Sequence, residues 1–172
     1  MGIVQEPGLA TGAEEARVGP ERAEYADVAT IDGIIAALYA CISGPAGAPR
    51  EWARQRALFV PGARLVPIVR DARGEREARL LDLDGYERSR TPLFESRGFH
   101  EREIARREER YGSLAHVFST YEAREHPDGP TILRGINSIQ LLWREERWWV
   151  LSIAWEHEAD DTPIPARYLR WG

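Results

Sequence analysis

Four consecutive segments in the second half of the chain have strand character: Gly98 to Glu108, Ser113 to Glu125, Thr131 to Arg144 and Arg147 to Glu158. They constrain the fold more than any other feature, because the joints between them are short. Arg110-Tyr111-Gly112 and Glu145-Glu146 are tight enough for hairpins, and His126 to Pro130 (HPDGP) makes a longer turn. Strands joined in this way pair with their sequence neighbours, so an antiparallel meander is expected. The first segment, rich in Arg and Glu, also reads as a helix. A hairpin partnership with its neighbour favours strand.

Upstream the period is helical. Val28, Ile31, Ile34, Ile35, Leu38, Tyr39 and Ile42 recur on one stripe, which predicts a helix from about Glu24 to Ser43, stopped by Gly44-Pro45. A shorter helix is expected from about Arg50 to Leu58, ended by Pro61-Gly62. Ala63 to Arg70 reads as a strand interrupted by Pro67, hence an edge or a bulge. Ala78 to Leu81 offers it a short partner. Asp82 to about Ser89 reads as a short helix capped by Asp82 or Asp84. Residues Met1 to Arg22, rich in Gly, Pro, Ala and Glu, read as a mobile tail before a single domain over 23–172. Helices first and a meander last make the fold class α+β, with helices packed on one face of a curved sheet.

Composition removes several chemistries. All 23 basic residues are arginine, so a phosphate-loop, Schiff-base or kinase-type lysine cannot exist here. The net charge of −5 comes with acids and arginines interspersed, leaving no basic stripe for nucleic acid. The lone Cys41 can form neither an internal disulfide nor a cysteine zinc cage and reads as a small buried thiol. No run approaches the ~18 apolar residues of a membrane span. No signal peptide is visible at the N-terminus, and a cytoplasmic location is the expectation.

Local signals in this order carry a resemblance. Trp52 followed by Phe59, Pro61, Gly62 and Ala63 looks like a second helix running into a first strand. Gly112, Ala115, Val117, Ser119 and Tyr121 look like a central strand. Gly135-Ile136-Asn137-Ser138, Leu141, Leu142 and Arg147-Trp148-Trp149-Val150 look like a final hairpin. Together they resemble the nuclear transport factor 2-like superfamily, the cone-shaped fold shared by ketosteroid isomerase, scytalone dehydratase and polyketide-cyclase-like proteins. The resemblance covers about Ala23 to Leu169. It implies a curved antiparallel sheet wrapped around N-terminal helices as a cone-shaped α+β barrel, a pocket on the inner face, and an outer face that often forms a dimer interface. The isomerase's catalytic aspartates and the dehydratase's histidine–aspartate set have no counterpart here.

Strand parity sorts the candidate residues. With the inner face chosen by the resemblance, Ser119, Tyr121, Asn137, Ser152 and Glu156 are expected to converge, roofed by Tyr39 and Trp52. Tyr121 and Asn137 are donors suited to a ligand carbonyl, hydroxyl or enolate-like oxygen. Glu156 is nominated as the inward acid, whose pKa burial would raise; a salt bridge with an arginine such as Arg134 is the competing reading. His116, mid-strand beside Phe118, is the second catalytic candidate, against a place at the dimer face. His157, beside Glu156, is expected at the surface or interface. His100, Glu101 and Glu103 would suit a metal only with a second histidine, so no metal site is expected; two-residue spacing does put Glu101 and Glu103 on one face. The opposite face, with Phe118, Leu142, Trp149, Leu151 and Trp155, is expected to be buried in a homodimer.

The sequence thus points to a cofactor-independent domain that binds a hydrophobic small molecule as a homodimer. The alternative is an acid–base isomerase, dehydratase or cyclase acting on a hydrophobic cyclic substrate. A third reading is an assembly domain with a vestigial cavity.

Overall fold

The computed structural model describes residues 26–171. The expected N-terminal tail and the expected helix start at Glu24 lie outside them. A 3-10 turn at Ala26–Ala29 leads into α1 (Ile31–Ile42). The helix begins later than its apolar stripe suggests because Thr30 caps it, its hydroxyl accepting from the Gly33 amide at 3.0 Å. Ile31, Ile34, Ile35, Leu38, Tyr39 and Ile42 are all buried along one side. Cys41 is a buried free thiol. Arg50 braces the following loop: its guanidinium donates to the carbonyls of Ile42, Gly44, Pro45 and Ala48.

The second helix, α2 (Trp52–Leu58), runs straight into β1 (Phe59–Arg70). Pro61-Gly62 therefore does not merely stop a helix. It sits inside the strand, where Gly62 takes a φ of +80° and the pairing register shifts between Phe59 and Arg64. The partner strand β2 is Arg76–Ala78, slightly upstream of its expected place, while Leu81 keeps a bridge to Leu65. The third helix, α3 (Leu83–Ser96), is capped by Asp82 and runs a full two turns longer than expected. Its apolar Leu93 and Phe94 pack against the core, and this burial holds the helix together through Pro92.

The four long strands follow as β3 (His100–Tyr111), β4 (Leu114–Arg124), β5 (Thr131–Arg144) and β6 (Arg147–His157). Gly112 turns the first hairpin at a φ of +56°. Glu145 and Glu146 turn the last at 56° and 59°, a left-handed pair that usually selects Asn and Gly. The six strands form one sheet in the order β2-β1-β6-β5-β4-β3. β3 to β6 are an antiparallel meander, but β1 joins β6 in parallel, so the sheet is mixed. It curves without closing, and the helices lie on its concave side; the architecture is an α+β cone. Among the described residues, no helix is long and apolar enough to cross a membrane.

One irregularity decides which side chains enter the cone. Gln140 pairs with Ser152, yet Leu141 pairs with Val150, so Leu151 is an extra residue in β6. A one-residue bulge inverts the facing of everything beyond it. Trp148 and Val150 face inward before the bulge; Ile153, Trp155 and His157 face inward after it. A similar shift at Ile104 in β3 places Glu101 and Glu103 on the inner face ahead of it and Arg106 on the inner face after it.

Candidate functional site

A cavity of about 100 Å³ lies between α1, α3 and the concave face of the sheet. Leu38, Ile42, Leu65, Phe99, Leu133, Ile139 and Ile153 supply apolar wall. Tyr39, Tyr86, Arg90, Glu101, Tyr121, Asn137 and His157 bring the polar atoms. Apolar walls with a few converging polar groups are the usual make-up of a ligand site.

Tyr39, Ser119, Tyr121 and Asn137 are brought together here. The Asn137 amide donates to Tyr39 Oη at 3.1 Å, and Tyr39 Oη lies 2.7 Å from Ser119 Oγ. Ser119 donates its single hydroxyl proton to Glu103 Oε1 at 2.6 Å, so Tyr39 must be the donor to Ser119. Arg106 then grips both Glu103 oxygens at 3.0 and 2.7 Å and reaches Asp32 at 2.5 Å. A directed chain of hydrogen bonds thus runs from the cavity to an ion cluster beside α1. Tyr121 points the other way, with its Oη 2.8 Å from His157 Nδ1. Gly135 makes that path possible, since a Cβ there would collide with the Tyr121 hydroxyl. Burial, with the nearby Glu101 carboxyl, pushes the phenols of Tyr39 and Tyr121 upward, so both stay protonated.

The acid in this cavity is Glu101. Burial raises its carboxyl to about 8; a hydrogen bond with Asn137 and the nearby charge of Arg90 pull in the other direction. His157 stands at the open side, and burial moves its imidazole below the ordinary value, keeping it neutral. Both residues were visible in the sequence without being assigned to the cavity. Glu101 belonged to a charged run, and only its shared face with Glu103 hinted at a common environment.

Other expected site residues lie elsewhere. Glu156 and Ser152, expected on the inner face, stand on the outer one because the Leu151 bulge inverts β6. Glu156 accepts from Arg76 Nε at 2.5 Å rather than facing the cavity or meeting Arg134; Arg134 pairs with Glu158. His116 also faces outward, where its Nε2 lies 3.0 Å from Ser138 Oγ. Trp52 backs the wall, stacked on Phe94 with ring centres 5.9 Å apart and edge-on to Tyr86. Trp155, expected between subunits, lines the cavity and meets Tyr86 edge-on at 5.8 Å. Phe118 does face outward, but Tyr168 of the C-terminal 3-10 turn Ala166–Tyr168 covers part of it, with ring centres 4.9 Å apart. Among the described residues, no cluster of three His, Cys, Asp or Glu side chains could hold a metal ion.

The order of strands, the helical cover and the inner cavity match known structures. This chain has the nuclear transport factor 2-like fold. A function-unknown protein from Mycobacterium tuberculosis superposes with a TM-score of 0.57 at 11% identity, over 79% of this chain and 75% of its own. A protein with a cystatin-like fold from Nostoc punctiforme gives 0.56 at 8% identity, over 74% and 87%. An NTF2-like protein of unknown function from Methylobacillus flagellatus gives 0.50 at 16%, over 75% and 92%. No protein-family model matches the chain, and no curated protein sequence matches it significantly. At such identities the NTF2-like likeness speaks for architecture, and chemistry must be argued from the site.

Proposed function

We propose that this NTF2-like protein binds a small, largely apolar carbonyl compound in the inner cavity and moves a proton on it, with Glu101 as the acid–base group. The observation that carries this reading is the Glu101 carboxyl itself. It lines an apolar cavity, forms no ion pair among the described residues, and is raised to about 8, so both its forms are populated close to neutrality. In the step, ionised Glu101 takes a proton from the carbon beside the carbonyl. The C–H electron pair moves toward the carbonyl oxygen, to which the Tyr121 hydroxyl and Asn137 amide would donate in exchange for their present partners His157 and Tyr39. The carboxyl then returns the proton to a different atom of the same molecule, completing an isomerisation.

Cavity size narrows the compound. An engineered cavity of about 150 Å³ in another protein holds benzene. At about 100 Å³, this one suits a single ring or a short branched chain, with any remainder at the open side. That is too small to enclose a fused polycyclic ligand.

The test is proton exchange. Small ketones and enones incubated in D₂O with the protein should take up deuterium beside the carbonyl, followed by NMR. Glu101→Gln should lower that rate by roughly 10²–10⁴-fold. No exchange with any carbonyl compound, together with a Glu101 carboxyl titrating in the ordinary range, would end the reading. One observation favours pure binding instead: Tyr39, Asn137 and Tyr121 already hydrogen-bond within the protein. Ligand binding without exchange would decide for it.

A homodimer through the outer sheet face completes the proposal. Phe118, Leu142 and Trp149 are half-buried there, and a 290 Å³ groove runs between the outer strands and residues 162–168. Sedimentation at micromolar concentration should give a dimer that Phe118→Arg dissociates; a wild-type monomer would refute it.

A further inference from the structure

The inward face of α3 carries Tyr86, Arg90, Leu93 and Phe94. Three of these suit a helix packed on a sheet; Arg90 does not. It occupies a place where the helical spacing calls for an apolar residue, and it brings a guanidinium there. The side chain is half-buried, lines the cavity, and sits 5.7 Å from the Tyr86 ring centre and 5.9 Å from that of Trp155. Contacts with ring faces use none of its N–H donors. Among the described residues, no carboxylate lies within ion-pair distance of it, whereas Arg106 at the far side of α1 meets Glu103, Asp32 and Glu108.

Of the described groups lining the cavity, only Glu101 could balance Arg90, and burial raises its carboxyl to about 8. Tyr39, Tyr86 and Tyr121 are pushed upward and His157 downward, so all four are neutral near pH 7. With Glu101 protonated, the described lining carries one formal positive charge, on its half-exposed side, above an apolar interior. A single arginine in an apolar frame matches a monoanion; a phosphate, with more charge and three acceptor oxygens, would ask for further cations.

We propose that the ligand of this cavity is a small organic carboxylate, its anionic end held by the Arg90 fork and its apolar body directed toward Glu101 and Asn137. The proposal rests on reading the cavity as the functional site, and it names the class of molecule that site takes. The acid end fixes the orientation that delivers the reacting carbon to the Glu101 carboxyl.

Calorimetric titration at pH 6.5 with benzoate, benzamide and benzyl alcohol tests it. These probes share one ring and differ in charge. Benzoate should bind the wild type at least about tenfold tighter than either neutral probe, as a charge-assisted pair would require. Arg90→Gln should abolish the preference, and Arg90→Lys should keep part of it. Circular dichroism and melting curves on both variants exclude misfolding as the cause. Raising the pH to 9 should weaken benzoate as Glu101 ionises, and Glu101→Gln should remove that loss. Equal binding of benzamide and benzoate, an unchanged benzoate affinity in Arg90→Gln, or no binding by any probe would overturn the proposal. None of these outcomes alters the acid–base reading, which stands or falls on deuterium exchange and on the Glu101 titration followed by carbon-13 NMR.

Discussion

Glu101 and Glu103 stand two residues apart on one strand, on the same inner face, and their surroundings could hardly differ more. Glu103 accepts from Ser119 and from the Nε and Nη2 of Arg106. Its charge is matched where it sits. Glu101 looks into an apolar cavity with Asn137 as its hydrogen-bond partner, and it avoids the cost of burial by keeping its proton. The difference separates a carboxylate that holds the fold from a carboxyl available for chemistry. One strand supplies both because Arg106, beyond the Ile104 bulge, folds back over Glu103 and does not reach Glu101.

The comparison can be broken most forcefully at Arg106. Arg106→Met strands a buried Glu103 carboxylate and should cost about 3–5 kcal/mol in denaturant unfolding. A loss under about 1 kcal/mol would mean the cluster is solvated and the contrast false.

Glu101→Gln should act in the opposite direction, and only at higher pH. The unfolded chain gives up this proton near the ordinary 4.5, while the folded chain keeps it to about 8. Stability from Glu101 is therefore complete below pH 4.5 and falls as the pH rises toward 8. His157 works against this trend, since its lowered value makes the folded chain gain stability as pH rises through 6.5. The difference between wild type and Glu101→Gln isolates the carboxyl. The variant should match the wild type at pH 4 and exceed it at pH 8 in thermal unfolding. A parallel pair of pH curves would place Glu101 among ordinary carboxylates.

Ser119→Ala sharpens the link between the two ends. It removes the acceptor for Tyr39 and one donor to Glu103 together, for a loss of about 1–3 kcal/mol. It should also shift the pH profile of proton exchange, because Tyr39 would then be free to turn toward the cavity; a structural role alone would leave that profile in place. The smallest effect belongs to an exposed pair. Arg134→Gln, which removes the ion pair with Glu158 on the outer side, should change stability by less than about 1 kcal/mol.

Much of the architecture was legible because it follows from local pattern. The α1 stripe, the Asp82 cap, the Gly112 turn and the alternation of β4 each need only near neighbours in sequence. Tyr39, Ser119, Tyr121 and Asn137 could be grouped because β4 and β5 pair without a slip across them. The site's acid could not. Reading β6 by parity put Glu156 and Ser152 inside and His157 outside, and a single extra residue at Leu151 reversed all three. Glu101 was weighed only as a metal candidate beside His100 and Glu103, in a run of Arg and Glu whose helical and extended readings were both open. Arg90 lay just beyond the expected end of a helix that the docking of Phe94 extends.

By itself, then, the sequence determined the elements, their order and the hairpins between β3 and β6, since backbone preference and hydrophobic period act over a few residues. Tertiary structure decided which face of each strand was inner, which of two neighbouring glutamates met an arginine, and which arginine was left to face a cavity. Those outcomes depend on bulges and on contacts between residues as far apart as Asp32 and Arg106. Register and charge pairing are settled only when the whole sheet curves around its helices.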